Sequence, residues 1–198
     1  YKRQEDSRDA GRSDLLGISL DAGDVVVGIA ASGRTPYVIG ALDYARQTGA
    51  FAIGFSCNEQ AELISHADLN IIPLVGPEVL SGSTRLKAGT ATKMVLNMLT
   101  TGAMVRMGKT YSNLMVDLRA TNVKLIERAV RIVKALTGCS TTDARELLRE
   151  CGEEVKTAIV KYKLGLTPQE ARARLAAVSG HLRQALESEE QLNGGKTA

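Results

Sequence analysis

The stretch DVVVGIAASGRTP, residues 24–36, reads as a strand that passes through a small-residue turn into a helix. Residues 24–30 are apolar almost without interruption, which is typical of a strand covered on both faces. Thr35 directly precedes Pro36, and this order predicts a helix with Thr35 at its N-cap and proline at its first position. The stretch therefore predicts the strand, turn and helix of a parallel α/β sheet.

Two more apolar runs continue the same pattern, AFAIGFSC at residues 50–57 and LNIIPLV at residues 69–75. Helical segments separate the three predicted strands and supply the right-handed crossovers that parallel strands need. We expect part of a parallel α/β sheet with helices on both faces, a three-layer αβα arrangement.

After Pro77 the periodicity becomes helical. A long helix is predicted from about Thr84 to Met107, capped by Ser81, Ser83 or Thr84, and a second from near Asn113 to Gly138, with a possible break at Asn122. Three short amphipathic helices follow at 141–150, 153–163 and 168–177. The methionines, which include Met94, Met98 and Met115, are expected to pack in the core or at a subunit interface. The expected domains are an α/β domain at 1–138, an all-α helical appendage at 139–187 and a flexible tail at 188–198.

Composition excludes several classes of protein. The 198 residues carry a net charge of +3, from 25 basic and 22 acidic side chains, which argues against a strongly basic nucleic-acid binder. We expect no membrane segment, because no apolar run reaches the roughly 18 to 20 residues that a bilayer requires. The first residue is Tyr1 and not methionine, so we expect a processed or truncated chain. Three cysteines without metal-ligand spacing are expected to be reduced thiols in a cytoplasmic protein, with neither disulfide nor metal.

The turn after the first strand is a candidate anion site. Ser32, Gly33, Arg34 and Thr35 combine small residues, hydroxyl donors and a helix N-terminus, which together favour a phosphate group. The turn matches neither the dinucleotide fingerprint nor the P-loop, so a nucleotide is not indicated. A capped helix start without a ligand is the alternative interpretation.

Three long motifs carry a family resemblance: GIAASGRTPYVIGALDYARQTG at 28–49, VGPEVLSGSTRLKAGTATKMVLNMLTTGAMVRMGK at 75–109, and NLMVDLRATNVKL at 113–125. They resemble the sugar isomerase (SIS) superfamily and, within it, the N-acetylmuramic acid 6-phosphate etherase family. The resemblance implies an SIS-type sheet and a homodimeric lyase that needs no cofactor. Its phosphorylated amino-sugar substrate would lose D-lactate to give N-acetylglucosamine 6-phosphate, in peptidoglycan recycling.

The resemblance also implies site residues. The family's Gly-Ala-Glu-Asp-Ser segment is matched by Gln4-Glu5-Asp6-Ser7, which gives Glu5 an acid/base role, although the residues before it depart from the family pattern. The family's other acid/base glutamate follows a glycine-rich loop that has no match here. We therefore expect the family's N-terminal third to be missing and this chain alone to be catalytically impaired.

Glu78 and Lys87 are further candidates for sugar contact. Glu78 follows the third strand, and open α/β sheets bind ligands beyond the carboxyl ends of their strands. A Glu78–Lys87 pair without a substrate role is the alternative. Two other functions also stay open. One is a non-catalytic sugar-phosphate regulator. The other is an aldose–ketose isomerase, because its reaction also begins with proton removal at carbon 2.

Overall fold

The computed structural model describes residues 2–118 and 122–187. They form two compact units, which divide between Asn97 and Met98. Thr121 and the tail predicted at 188–198 lie outside the described residues. The boundary predicted at residue 138 stays a prediction.

The first unit contains a three-stranded parallel sheet. Its strands are β1 (Val25–Ile29), β2 (Phe51–Phe55) and β3 (Leu69–Ile71), in the order β1-β2-β3. Val25 lies opposite Phe51 in the first pair, and Ile53 lies opposite Leu69 in the second. The predicted parallel α/β sheet followed by a helical appendage is confirmed.

The same unit contains α1 (Lys2–Glu5), α2 (Arg8–Gly17), α3 (Pro36–Gln47) and a 3₁₀ helix (Glu62–His66). Helix α3 and the 3₁₀ helix pack against the strands, and α1 and α2 pack against α3. Ile39, Leu42 and Leu63 are fully buried between them and the strands. Helices α2 and α3 approach closely because each carries a glycine at the contact. A Cβ at Gly11 would collide with the carbonyl group of Tyr37, and a Cβ at Gly40 would collide with that of Arg8.

The predicted long helix is α4 (Lys87–Arg106). Its methionines are exposed within the chain, Met94 at 58% and Met98 at 61%, so the expectation that they pack in the core of the chain is wrong. Only Ala88 is buried along α4, which means that the apolar periodicity of this helix marks a surface and not a core contact. The interface alternative stays a prediction. No helix among the described residues is both long and apolar enough to span a membrane.

In the second unit, the C-terminal half of α4 is followed by a hairpin of two short strands, β4 (Thr110–Tyr111) and β5 (Leu114–Met115). The prediction of a helix from Asn113 is therefore wrong. Ser112 lies in the turn with a φ of 52°, a left-handed conformation that a helix does not accommodate. Asn113 lies in the turn, and Asp117 lies outside any helix or strand.

Five helices follow in this unit: α5 (Val123–Thr137), α6 (Thr141–Glu150), α7 (Val155–Leu164), α8 (Pro168–Ala177) and α9 (Leu182–Leu186). The three predicted short helices match α6, α7 and α8. Capping boxes begin α6 at Ser140 and α8 at Thr167. The apolar faces of all five helices meet in one core, in which Val133, Leu148 and Ile159 are buried.

Candidate functional site at the carboxyl edge of the sheet

The carboxyl ends of β1, β2 and β3 lie at one edge of the parallel sheet. The chain leaves β1 through residues 30–35, β2 through residues 56–58 and β3 through residues 72–78. All the candidate binding residues lie in these loops or at the helix starts that follow them. This is the edge at which open α/β sheets bind their ligands.

Gly33 fixes the shape of the loop after β1. Its φ is +72°, and its backbone N–H donates to the carbonyl oxygen of Ala30 at 2.8 Å. A Cβ at this position would collide with Ala61 and would lie 2.9 Å from Ser56 Oγ. Glycine is therefore required both by the left-handed backbone and by the close approach of the neighbouring segment.

The loop after β2 supports the loop after β1 from the side. Ser56 is fully buried, and its hydroxyl donates to the carbonyl oxygen of Ala31 at 3.1 Å. The side-chain amide of Asn58 donates to the carbonyl oxygen of Ser32 at 3.3 Å. Ser56 and Asn58 were not predicted as site residues, although their position at the end of the second predicted strand is a signal that could have identified them.

The start of α3 keeps its polar groups available. Thr35 is the N-cap residue, but its side chain makes no capping hydrogen bond to the helix. Ser32 is exposed, and in the part of the chain that the structure describes its hydroxyl has no hydrogen-bond partner. Two hydroxyl donors and the positive end of the α3 dipole thus meet next to the exposed Arg34, an arrangement that favours an anion.

Glu78 caps the N-terminus of α4. Its carboxylate accepts hydrogen bonds from the backbone N–H groups of Lys87 and Ala88, each at 2.9 Å. The bonds from Ala88 and Lys87 lower the pKa of Glu78 below its ordinary value of 4.5. The expectation that Ser81, Ser83 or Thr84 caps α4 is wrong, because the cap comes from a residue nine positions before the helix begins.

Glu78 also lies close to the end of β2. Burial raises the pKa of the Cys57 thiol, and the carboxylate charge of Glu78 raises it further. The carboxylate of Glu78 therefore lies near the loop after β2. Whether Glu78 or Lys87 contacts a sugar stays a prediction.

Glu5 lies on α1, which packs against α3 but does not belong to the loops at this edge of the sheet. It is the last residue of α1 and is exposed. No hydrogen bond or ion pair within residues 2–118 joins it to the loop after β1. The structure thus brings Ser32, Gly33, Arg34 and Thr35 together and pairs Glu78 with Lys87, while Glu5 stays on a separate element.

Known proteins resemble this chain in two ways. The SIS domain family matches residues 13–102, and the family of the C-terminal lid domain of glucokinase regulatory protein matches residues 112–188. Proteins named N-acetylmuramic acid 6-phosphate etherase are similar over 92% of the chain. The protein from Rhodopirellula baltica is 56% identical, that from Aliivibrio fischeri 54% and that from Salmonella agona 55%.

The chain spans 60 to 62% of the length of these three relatives. The SIS match includes the whole sheet and the loop with Ser32 and Thr35, and the lid match includes β5 and helices α5 to α9. The resemblance predicted from the motifs is confirmed. The chain contains an SIS domain followed by a lid-type helical domain, and over 92% of its length it is a homologue of the N-acetylmuramic acid 6-phosphate etherases.

Proposed function

We propose that this chain forms the phosphosugar-binding part of an N-acetylmuramic acid 6-phosphate etherase. Such a lyase cleaves the D-lactyl ether of its substrate and yields N-acetylglucosamine 6-phosphate and D-lactate, a step of peptidoglycan recycling. The observation that carries the proposal is the 54 to 56% identity to proteins of this name over 92% of the chain. The geometry of the loop after β1 supports it.

In this proposal the 6-phosphate binds at the start of α3. The hydroxyls of Ser32 and Thr35 donate to the phosphate oxygens, and Arg34 contributes a positive charge. Gly33 lets the loop backbone come close to the anion, because it has no side chain. A side chain at this position would also collide with Ala61. Glu78 and Lys87, at the same edge of the sheet, contact the sugar in the same proposal.

The chemistry needs two acid/base groups. In the ring-opened sugar the aldehyde at carbon 1 acidifies the proton on carbon 2, so a carboxylate can remove it. The electron pair forms the double bond between carbons 2 and 3, and the ether oxygen on carbon 3 leaves with the lactyl group. Water then adds across the double bond. The aldehyde serves as the electron sink, so the proposal includes no cofactor.

Glu5 supplies one of the two acid/base groups in this proposal. The other belongs to the part of the etherases that this chain does not match. We also propose that the protein acts as a homodimer in the cytoplasm. A regulator without catalytic activity is not favoured, because the regulatory-protein family matches only residues 112–188, whereas the etherases match 92% of the chain.

Release of D-lactate from N-acetylmuramic acid 6-phosphate tests this proposal. We would measure it, with a D-lactate dehydrogenase coupled assay, for the 198-residue chain and for the chain extended upstream by the corresponding segment of the Rhodopirellula baltica relative. We expect release by the extended chain and impaired release by the chain alone. Glu5→Gln in the extended chain should slow release by about 10² to 10⁴-fold, the usual contribution of one acid/base group.

The matched control is Glu146→Gln, which removes an exposed carboxylate of the second unit and should leave the rate unchanged. Absence of D-lactate from the extended chain, together with intact phosphosugar binding, would leave the regulator as the better proposal. If the extended chain with Glu5→Gln keeps full activity, Glu5 is not an acid/base residue.

A further inference from the structure

A cavity of about 520 Å³ lies between the β4–β5 hairpin and α5 in the second unit. Arg128 and Arg131 line one side of it, and Asn113, from the hairpin turn, lines another. Ile132, which is 4% exposed, and Met115 contribute an apolar wall. None of the residues that line the cavity is acidic.

The two arginines lack the partners that neighbouring arginines have. Neither Arg128 nor Arg131 makes a hydrogen bond or ion pair with any of the described residues. In contrast, partners are present for the arginines later in the unit: Glu127 for Arg145, Glu146 for Arg149, Glu154 for Arg172, backbone carbonyl oxygens for Arg174 and the Tyr111 ring for Arg183.

The spacing of the two arginines places both on one face of α5. Residues three apart on a helix are neighbours, with about 5 to 6 Å between their Cβ atoms. Two guanidinium groups can therefore reach the same anion, and each offers a planar fork of donors that suits phosphate oxygens. Glu127, one turn before Arg131, is paired with Arg145 and does not line the cavity, so the two positive charges match a dianion better than a monoanion.

We propose that this cavity binds a phosphomonoester that carries an apolar group. Arg128 and Arg131 hold the phosphate dianion, and the Asn113 amide donates to one of its oxygens. The apolar group of the ligand lies against Ile132 and Met115. The site belongs to the lid-type helical unit, whereas the phosphate site proposed for the sugar substrate belongs to the sheet unit.

Methyl NMR of the 198-residue chain tests this proposal with phenyl phosphate as the probe. The methyl signals of Met115 and Ile132 report on the cavity, so binding at the loop with Ser32 would not be mistaken for binding here. We expect both signals to shift to saturation. Arg128→Gln combined with Arg131→Gln should weaken this binding by about tenfold or more. The control Arg149→Gln removes a positive charge outside the cavity and should change the affinity less than about twofold.

Two further probes separate the parts of the proposal. Inorganic phosphate lacks the apolar group and should bind more weakly than phenyl phosphate. Succinate, a dicarboxylate, should also bind more weakly. The proposal is overturned if the Met115 and Ile132 signals do not shift, if the double glutamine variant binds as tightly as the unchanged chain, or if succinate binds as tightly as phenyl phosphate. Should the glutamine variant not fold, Arg128→Lys with Arg131→Lys keeps both charges but loses the forks and should still weaken binding severalfold.

Discussion

The carboxylate of Glu78 accepts a hydrogen bond from the backbone N–H of Lys87, so the two residues that the sequence singled out as possible sugar ligands are joined by a helix cap. The cap fixes the loop after β3 to the first turn of α4. It also places a negative charge at the positive end of the α4 dipole, which is the favourable orientation. A structural role for this pair is therefore present whether or not a sugar is bound.

Glu78→Gln should lower the temperature of thermal unfolding at pH 7. The amide cannot provide the charge and the two acceptor oxygens with which the carboxylate holds Lys87 and Ala88. Because the pKa of Glu78 is lowered in the folded protein, the stabilisation is complete above 4.5 and is lost as the pH falls through the lower folded-state pKa. Thermal unfolding followed by circular dichroism at several pH values measures this.

The control for that prediction is Glu59→Gln, an exposed glutamate of the same unit, which should change the unfolding temperature little. Two results would contradict the cap: equal unfolding temperatures for the Glu78→Gln and Glu59→Gln variants, or a difference that grows as the pH falls below 4.5.

Gly33→Ala should destabilise the first unit more than a glycine substitution at a similar φ elsewhere. The left-handed backbone alone costs a side chain about 1 to 2 kcal/mol. At Gly33 the new Cβ would also collide with Ala61, and such overpacking costs about 1 to 3 kcal/mol more. Urea unfolding should therefore show a loss of about 2 to 5 kcal/mol.

Gly82→Ala is the matched control. Gly82 has a φ of +79°, and a Cβ there would meet no atom within 4 Å, so this variant has the backbone cost without the collision. If the two variants lose the same free energy of unfolding, the packing of Ala61 against the loop does not require glycine.

The sequence predicted the regular elements well where hydrophobic pattern and capping residues agreed. The strands and α3, with Pro36 at its first position, followed from local signals. The hairpin at residues 110–115 could not be found in this way. Its strands are two residues long, too short to show alternation, and the helical pattern that follows from Val123 was extended back to Asn113.

Only the part of the candidate site that lies within one continuous segment could be predicted from the sequence. The turn at Ser32 to Thr35 follows from its own sequence, whereas the support from Ser56 depends on how two strands pair. The cap that Glu78 provides also spans nine residues, beyond the three that local capping rules consider. Contacts between segments distant in sequence leave no mark in the periodicity of either one.

Asp117→Asn should destabilise the second unit. One carboxylate oxygen of Asp117 lies 2.8 Å from Lys109 Nζ, and the other lies 2.7 Å from Lys156 Nζ, whose side chain is only 15% exposed. Burial alone would raise the pKa of Asp117, but the bonds from Lys109 and Lys156 outweigh it, and the pKa is lowered. Loss of this charge should reduce the free energy of unfolding by about 1 to 2 kcal/mol, since the site is partly exposed.

Urea unfolding at pH 7 of Asp117→Asn, with Glu146→Gln as control, measures this difference. Glu146 pairs with Arg149 on the surface of α6, where both side chains are largely exposed, and its loss should change stability by less than about 0.5 kcal/mol. The advantage of Asp117 should also disappear as the pH falls below 3.8, the ordinary value from which its pKa is lowered. Equal losses in the two variants would contradict a special role for the two lysines.

Ser32→Ala should weaken binding of N-acetylmuramic acid 6-phosphate by roughly tenfold, because one hydrogen bond to a charged phosphate is lost. Binding of unphosphorylated N-acetylmuramic acid should change less than about twofold, and calorimetry on both ligands measures the difference. Ser65→Ala is the control, since the Ser65 hydroxyl donates to the carbonyl oxygen of Glu62 on the 3₁₀ helix and not to the loop. An equal effect of Ser32→Ala on both ligands would mean that Ser32 recognises the sugar and not its phosphate, and the anion would then have to be held elsewhere on the sheet edge.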